Sequence, residues 1–166
     1  VAGDQSPRGK TAPASPIAVK SLPGPASVEP RTHVLDPNVE CATVRLDSAR
    51  TVVGVGSGVP ADALSLAEEL ARLLGGAVAA TRRPVEAGLV DGDRKVGQTG
   101  LSITPRLYVG LGVSGAAQHL VGIAGARRVV AINLDPGAPL MRRADLAVTA
   151  DVGQLLPLLI GALRDG

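Results

Sequence analysis

Three short polar segments follow apolar runs in the second half of the chain. They are Gly-Gln-Thr-Gly at Gly97–Gly100, Ser-Gly-Ala-Ala-Gln-His at Ser114–His119 and Asn-Leu-Asp at Asn133–Asp135. Glycine lets a backbone approach a ligand closely, and hydroxyl, amide and imidazole groups can each donate and accept hydrogen bonds. This spacing suits an extended ligand shaped like a nucleotide.

Each of these residues also has a purely structural interpretation, and the residues alone leave both open. Ser114 is a candidate N-cap of a helix whose first amides would attract a phosphate or carbonyl oxygen. A lone histidine such as His119 is more often a structural group with satisfied hydrogen bonds than a ligand contact. Asn133 could bind a ribose, and Asp151 could bind a ribose or cap the last helix. Gly54–Gly58 lacks the third glycine of a dinucleotide loop, because Val59 stands there, so this turn is a weak signal.

The apolar pattern predicts alternating strands and helices that would place these segments at one edge of a sheet. Residues 81–104 are expected to form a long polar loop, and 39–47 a weak strand that leads into the domain. A short strand is also expected at Ile17–Val19. The predicted strands are Thr51–Val55, Ala77–Ala80, Arg106–Leu111, Arg128–Leu134 and Leu146–Thr149; the predicted helices are Ala61–Leu74, Ser114–Ile123 and Leu155–Leu163.

Composition excludes several classes of function. Tyr108 is the only aromatic residue and the net charge is +2, so neither a stacking platform nor a basic stripe for nucleic acid is present. No apolar run has membrane-spanning length, and no membrane insertion is expected. Cys41 is the only cysteine, which favours the cytoplasm or another reducing compartment. Residues 1–37 hold seven of the 13 prolines, so we expect a Pro/Gly/Ala-rich tail or linker over 1–43 and a domain over 44–166.

From about Val44 to the C-terminus, the chain resembles the FAD-binding domain of the electron-transfer flavoprotein alpha subunit. Thr81-Arg82, followed by Glu86-Ala87-Gly88, is similar to a family segment with Ser in place of Thr, and Gly97–Gly100 is the most specific match. The resemblance implies a doubly wound α/β fold: a mainly parallel sheet of five to six strands with helices on both faces, in a Rossmann-like, three-layer, DHS-like arrangement. It also implies FAD in an extended pose. The cofactor-binding residues it implies are Ser57, Thr81, Arg82, Val96, Gly97, Gln98, Thr99, Ser114, Gly115, Ala116, Ala117, Gln118, His119, Asn133, Asp151 and Val152.

The resemblance implies roles for individual residues as well. Thr99 would meet the flavin N5, His119 would lie by the pyrimidine edge, and Arg82 and His119 would favour the reduced, anionic ring. Ser57 departs from the family, which usually has an arginine there beside the diphosphate, so weaker FAD affinity is expected unless another arginine compensates.

The implied function is that of an electron carrier with no substrate chemistry of its own. It would accept electrons from flavin dehydrogenases and form a heterodimer with a beta-type subunit. A second departure is length, because residues 1–43 are too short for the family's N-terminal domain; the chain is either a shortened paralogue or the carboxyl piece of a longer subunit. The alternatives are an NAD-binding or transferase domain of related topology, or an interaction module that has lost its cofactor.

Overall fold

A six-stranded sheet forms the centre of the molecule. The computed structural model describes residues 18–21 and 45–165. Its strands are β1 (Ala18–Ser21), β2 (Thr51–Val55), β3 (Ala77–Ala80), β4 (Leu107–Leu111), β5 (Arg128–Asn133) and β6 (Leu146–Thr149). The strand order is β1-β6-β5-β4-β2-β3; β2 to β6 are parallel, and β1 is antiparallel to β6.

Helices cover both faces of this sheet, since parallel strands need crossover connections. Their bounds are α1 (Leu64–Leu73, after a 3-10 turn at Ala61–Ala63), α2 (Arg82–Glu86), α3 (Ala117–Gly122), α4 (Pro139–Arg143) and α5 (Val152–Asp165). On one face, Leu70 of α1 and Leu156 of α5 pack in a core with Val53 and Leu111. On the other, Leu140 of α4 packs with Tyr108 and Ile123. The predicted doubly wound, three-layer α/β fold is confirmed.

The structure corrects several local expectations. Helix α3 begins at Ala117 rather than Ser114, because Gly115 has φ +81°, which no helix accommodates. Ser114 is therefore not its N-cap. The segment 81–104 is not a plain loop, since it contains α2 and a 3-10 turn at Gly92–Arg94. In the expected strand over 39–47, the described residues 45–47 begin a turn, and 39–44 lie outside the described residues.

Two further differences concern β1 and α4. The short strand expected at Ile17–Val19 is present as β1, Ala18–Ser21, while Ile17 lies outside the described residues. Helix α4 was not expected; Pro139 at its first turn is the signal that marks it. Among the described helices, none has both the length and the apolar character needed to cross a membrane.

Candidate functional site

Two glycine loops meet where the winding of the sheet reverses. The chain leaves β2 toward α1 on one face and leaves the neighbouring β4 toward α3 and the other face. The Gly56 N–H donates to the Leu111 carbonyl at 2.9 Å, and the Gly58 N–H donates to the Gly112 carbonyl at 3.1 Å. A Cβ on Gly56 would lie 2.2 Å from the Gly112 oxygen, so only glycine allows this approach. Ligands of doubly wound sheets bind at this reversal point.

The Gly97–Gly100 segment is fixed by backbone contacts on two sides. The Val96 N–H donates to the carbonyl of Ala80, the last residue of β3, at 3.0 Å. On the other side, the Gln98 N–H donates to the Gln118 carbonyl of α3 at 2.8 Å. A Cβ on Gly122 would lie 2.4 Å from the Gly97 nitrogen, so loop and helix touch backbone to backbone. Loop 96–101 and α3 therefore form one continuous surface, on which the side chains of Gln98 and Thr99 are exposed.

His119 of α3 is buried under loop 96–101 and has protein partners at both ring nitrogens. Its Nδ1 is 3.0 Å from the Val96 carbonyl, and its Nε2 is 2.8 Å from the Tyr108 hydroxyl. A carbonyl only accepts, so Nδ1 carries the proton and Nε2 accepts from tyrosine in the neutral ring. Burial lowers the pKa of His119, against the weaker opposing effect of the Val96 hydrogen bond. Burial therefore favours the neutral form of His119, whereas the family resemblance implied a cation beside a reduced ring, a role that stays a prediction.

The ends of β4, β5 and β6 are joined in the same manner. The Asn133 side-chain amide donates to the Val113 carbonyl at 3.0 Å, and the Asn133 carbonyl accepts from Ala150 at 3.2 Å. The Ser114 carbonyl accepts from Leu140, while its side chain is exposed. These bonds bring Ser114 and Asn133 to the edge that holds the glycine loops.

Asp151 and Asp135 both bind nearby backbone amides. The Asp151 carboxylate accepts from the Gln154 N–H at 3.0 Å, which is the N-cap bond of α5. The Asp135 carboxylate accepts from the Gly137 N–H at 2.8 Å, so Asp135–Gly137 forms a turn after β5. Asp151 is half-buried and keeps one oxygen without a protein partner among the described residues. Capping therefore does not prevent it from contacting a sugar.

Thr81 and Arg82 stand directly after β3. The Thr81 N–H donates to the Val55 carbonyl at 2.9 Å, which ties this point to the end of β2. Arg82 is exposed and its Nε donates to the Glu86 carboxylate at 2.5 Å, one turn along α2. This bond raises the pKa of Arg82. Arg82 therefore keeps its charge, but a carboxylate lies beside it.

A small cleft opens between the Gly56–Gly58 turn and α2. Its volume is about 190 Å³, and both Ser57 and Arg83 line it. The other lining residues are apolar or glycine: Val55, Gly56, Val59, Pro60, Ala61, Leu64, Pro84, Ala87 and Leu89. The cleft lies at the ends of β2 and β3, on the edge that carries the other site residues.

The structure thus brings the expected residues to one edge, but with different exposure. Polar and small groups that a ligand can reach directly are Ser57, Arg82, Gln98, Thr99, Ser114, Ala116, Ala117 and Gln118. Thr81, Asn133 and Asp151 are half-buried, whereas Val96, Gly97, Gly115, His119 and Val152 are buried. The buried residues position the backbone of this edge.

Sequence reasoning missed two residues that matter here. Tyr108 was counted only as the sole aromatic residue, although a buried tyrosine in an apolar strand needs a hydrogen-bond partner, and that partner is His119. Arg83 was given no role from the sequence. Its proximity to Ser57 depends on the pairing of β2 with β3, which places residues 26 positions apart around one cleft.

Comparison with known proteins identifies the family of this chain. Residues 45–124 match the family model described as the electron transfer flavoprotein FAD-binding domain. The chain is 39% identical over 136 residues to the electron transfer flavoprotein subunit alpha of Thermoanaerobacterium thermosaccharolyticum, which covers 81% of this chain and 41% of that protein. It is 40% identical over 161 residues to the corresponding subunit of Paracoccus denitrificans, covering 96% and 51%.

A third relative is protein FixB of Bradyrhizobium diazoefficiens, 43% identical over 129 residues, covering 78% of this chain and 35% of that protein. The chain thus spans between about a third and half the length of these relatives. The family model covers the glycine loops, Thr81-Arg82, loop 96–101 and α3. The chain therefore carries an FAD-binding domain of the electron transfer flavoprotein alpha-subunit family, as its motifs predicted.

Proposed function

We propose that this chain binds FAD along the carboxyl edge of its sheet and serves as the cofactor-holding part of an electron carrier. One observation carries the proposal: backbone hydrogen bonds join the ends of β2 through β6 and loop 96–101 into a single edge. A ligand that touches several of these segments must be long, as FAD is. We further propose that 44–166 form the body of this domain and that 1–43 are a tail or linker, from which β1 pairs with β6 at the edge of the sheet.

The residues of this edge have the chemistry that FAD requires. FAD supplies a ring that accepts and releases electrons. The exposed hydroxyl of Thr99 can donate or accept, so it can bind a ring nitrogen in either protonation state. Arg82 places a permanent cation near the same edge. Asn133 and Asp151 are half-buried at the ends of β5 and β6, where they can hold a sugar.

His119 contributes by position rather than by charge. Its two hydrogen bonds connect β4 to the residue preceding Gly97, so the ring holds loop 96–101 in place. The backbone of that loop and of α3 then faces the ligand. This assignment keeps His119 in the site while the neutral imidazole stays inside the protein.

Partners follow from the family and are part of the proposal. Several relatives are named as alpha subunits of electron transfer flavoproteins. We infer a beta-type subunit as the heterodimer partner, with flavin dehydrogenases as electron donors. The single cysteine is consistent with a reducing compartment such as the cytoplasm.

Binding of FAD is tested by titrating the purified chain, alone and mixed with the beta-type subunit of its own organism, and following flavin fluorescence. We expect saturable binding of FAD and no competition by NAD. Thr99→Val removes one hydroxyl without changing shape and should weaken binding, whereas Thr104→Val, an exposed threonine outside loop 96–101, should not. Absence of FAD binding in both samples would refute the proposal. Tighter binding of NAD than of FAD would favour the alternative of an NAD-binding domain.

The electron-carrier part is tested separately by measuring the reduction potential of the bound flavin. Arg82→Ala removes a cation and should lower the potential, because the electron-rich ring loses a favourable interaction. Glu86→Gln removes the carboxylate that pairs with Arg82 and should raise it. Equal potentials in wild type and both variants would exclude Arg82 from this role.

A further inference from the structure

The cleft between the Gly56–Gly58 turn and α2 has one charged lining residue among those the structure describes. That residue is Arg83, and it faces a cleft whose other polar side chain is the Ser57 hydroxyl. Within residues 45–165, no carboxylate lines the cleft. In the described part of the chain Arg83 also has no ion pair, unlike its neighbour Arg82, which binds Glu86 at 2.5 Å. An unpaired guanidinium beside an apolar cleft is available for an anion.

We infer that Arg83, together with Ser57, binds the diphosphate of the cofactor, an inference that rests on the proposed function. In oxidised FAD the negative charge resides on the diphosphate, so a cation in this cleft would act on that group. Arginine donates up to five hydrogen bonds in a planar fork that matches phosphate oxygens. The Ser57 hydroxyl adds one neutral donor.

The position of the cleft supports this assignment. Ser57 lies in the turn whose flanking glycines bond to Leu111 and Gly112, two residues before Ser114. Arg83 follows Thr81, whose N–H bonds to the end of β2. The cleft therefore adjoins the segments at Thr81 and at Ser114, both of which the proposed ligand must pass.

The matched control is Arg127, which is also exposed but precedes β5 at the opposite edge of the sheet. Arg83→Gln and Arg127→Gln make the same change of charge at two edges. The probes are FAD and riboflavin, which share the ring but differ in the diphosphate. We expect Arg83→Gln to raise the Kd for FAD about tenfold, the size of one charge-assisted hydrogen bond, and to change the Kd for riboflavin less than about twofold. Arg127→Gln should change neither.

Two further measurements separate a contact with the diphosphate from a change of fold. Raising the ionic strength from about 0.01 to 1 M should weaken FAD binding to wild type more than to Arg83→Gln, because screening acts on the charge. Adding Ser57→Arg to Arg83→Gln should restore most of the lost affinity, since position 57 lines the same cleft.

The outcomes distinguish the two proposals. If the chain binds FAD and riboflavin but Arg83→Gln leaves the ratio of their Kd values unchanged, the inference about Arg83 is wrong and the proposed function stands. If wild type binds neither flavin, alone or with the beta-type subunit, both are overturned.

Discussion

Removing the Tyr108 hydroxyl tests the buried connection beneath loop 96–101. Tyr108 is 0% exposed and His119 is 6% exposed, and the hydroxyl donates to Nε2 at 2.8 Å. Tyr108→Phe leaves that nitrogen buried without a partner, because Nδ1 already donates to Val96. An unsatisfied buried polar group costs about 1–3 kcal/mol, which is a large share of the stability of a domain this size.

The assay is urea denaturation followed by circular dichroism, since the variant has no tyrosine to report by fluorescence. We expect a lower midpoint with an unchanged slope, which indicates lost stability rather than a changed unfolded state. The matched comparison is His119→Asn, whose amide can still donate to Val96 but does not reach the hydroxyl. The double variant lacks both the Tyr108 hydroxyl and the His119 Nε2 nitrogen, so its loss of unfolding free energy should be smaller than the sum of the two single losses. Additivity within about 0.5 kcal/mol would refute the hydrogen bond as a stabilising contact.

Three further predictions concern stability. Burial lowers the pKa of His119 below its unfolded value of about 6.5, so below that pH the unfolded state binds a proton that the folded state does not. Urea midpoints should therefore fall as the pH drops below about 6.5, and His119→Asn should remove that part of the decline. Gly54→Ala should destabilise strongly, since its Cβ would lie 1.9 Å from the Tyr108 hydroxyl, and a normal thermal midpoint would contradict the packing. Hydrogen bonds from the Val129 N–H and, second, from Arg128 lower the pKa of Asp145. Asp145→Asn should therefore lose about 1 kcal/mol or less of folding stability at neutral pH, and its stability should depend less on pH below about pH 4. A stability profile in acid identical to that of wild type would show that these bonds do not stabilise the fold.

The strands could be predicted because their signal is local. Thr51–Val55 and Ala77–Ala80 are apolar runs with a glycine beside at least one end, and the structure keeps both bounds. Helices α2 and α4 were missed because each has five residues, too few for a repeated helical period. The start of α3 was misplaced because nothing in Ser114–His119 by itself indicates a positive φ at Gly115.

The candidate site could be predicted as a set of segments but not as a set of contacts. Family motifs and strand ends indicated which residues lie at the edge. The partners of His119 could not be read from the sequence, because Val96 is 23 positions away and Tyr108 is 11. Only the pairing of strands decides that one ring bridges both. The same holds for the approach of Arg83 to Ser57.

The interlocked glycines at Gly56 and Gly112 have a consequence for how this protein could be altered. Since main-chain atoms of the two loops rest on each other, the backbone path of the Gly56–Gly58 turn does not depend on the side chain at position 57. Ser57 can therefore be exchanged for larger or charged residues while the loops keep their shape. Ligand preference in this scaffold is open to redesign at such exposed positions, whereas a side chain at either interlocked glycine would force the two loops apart.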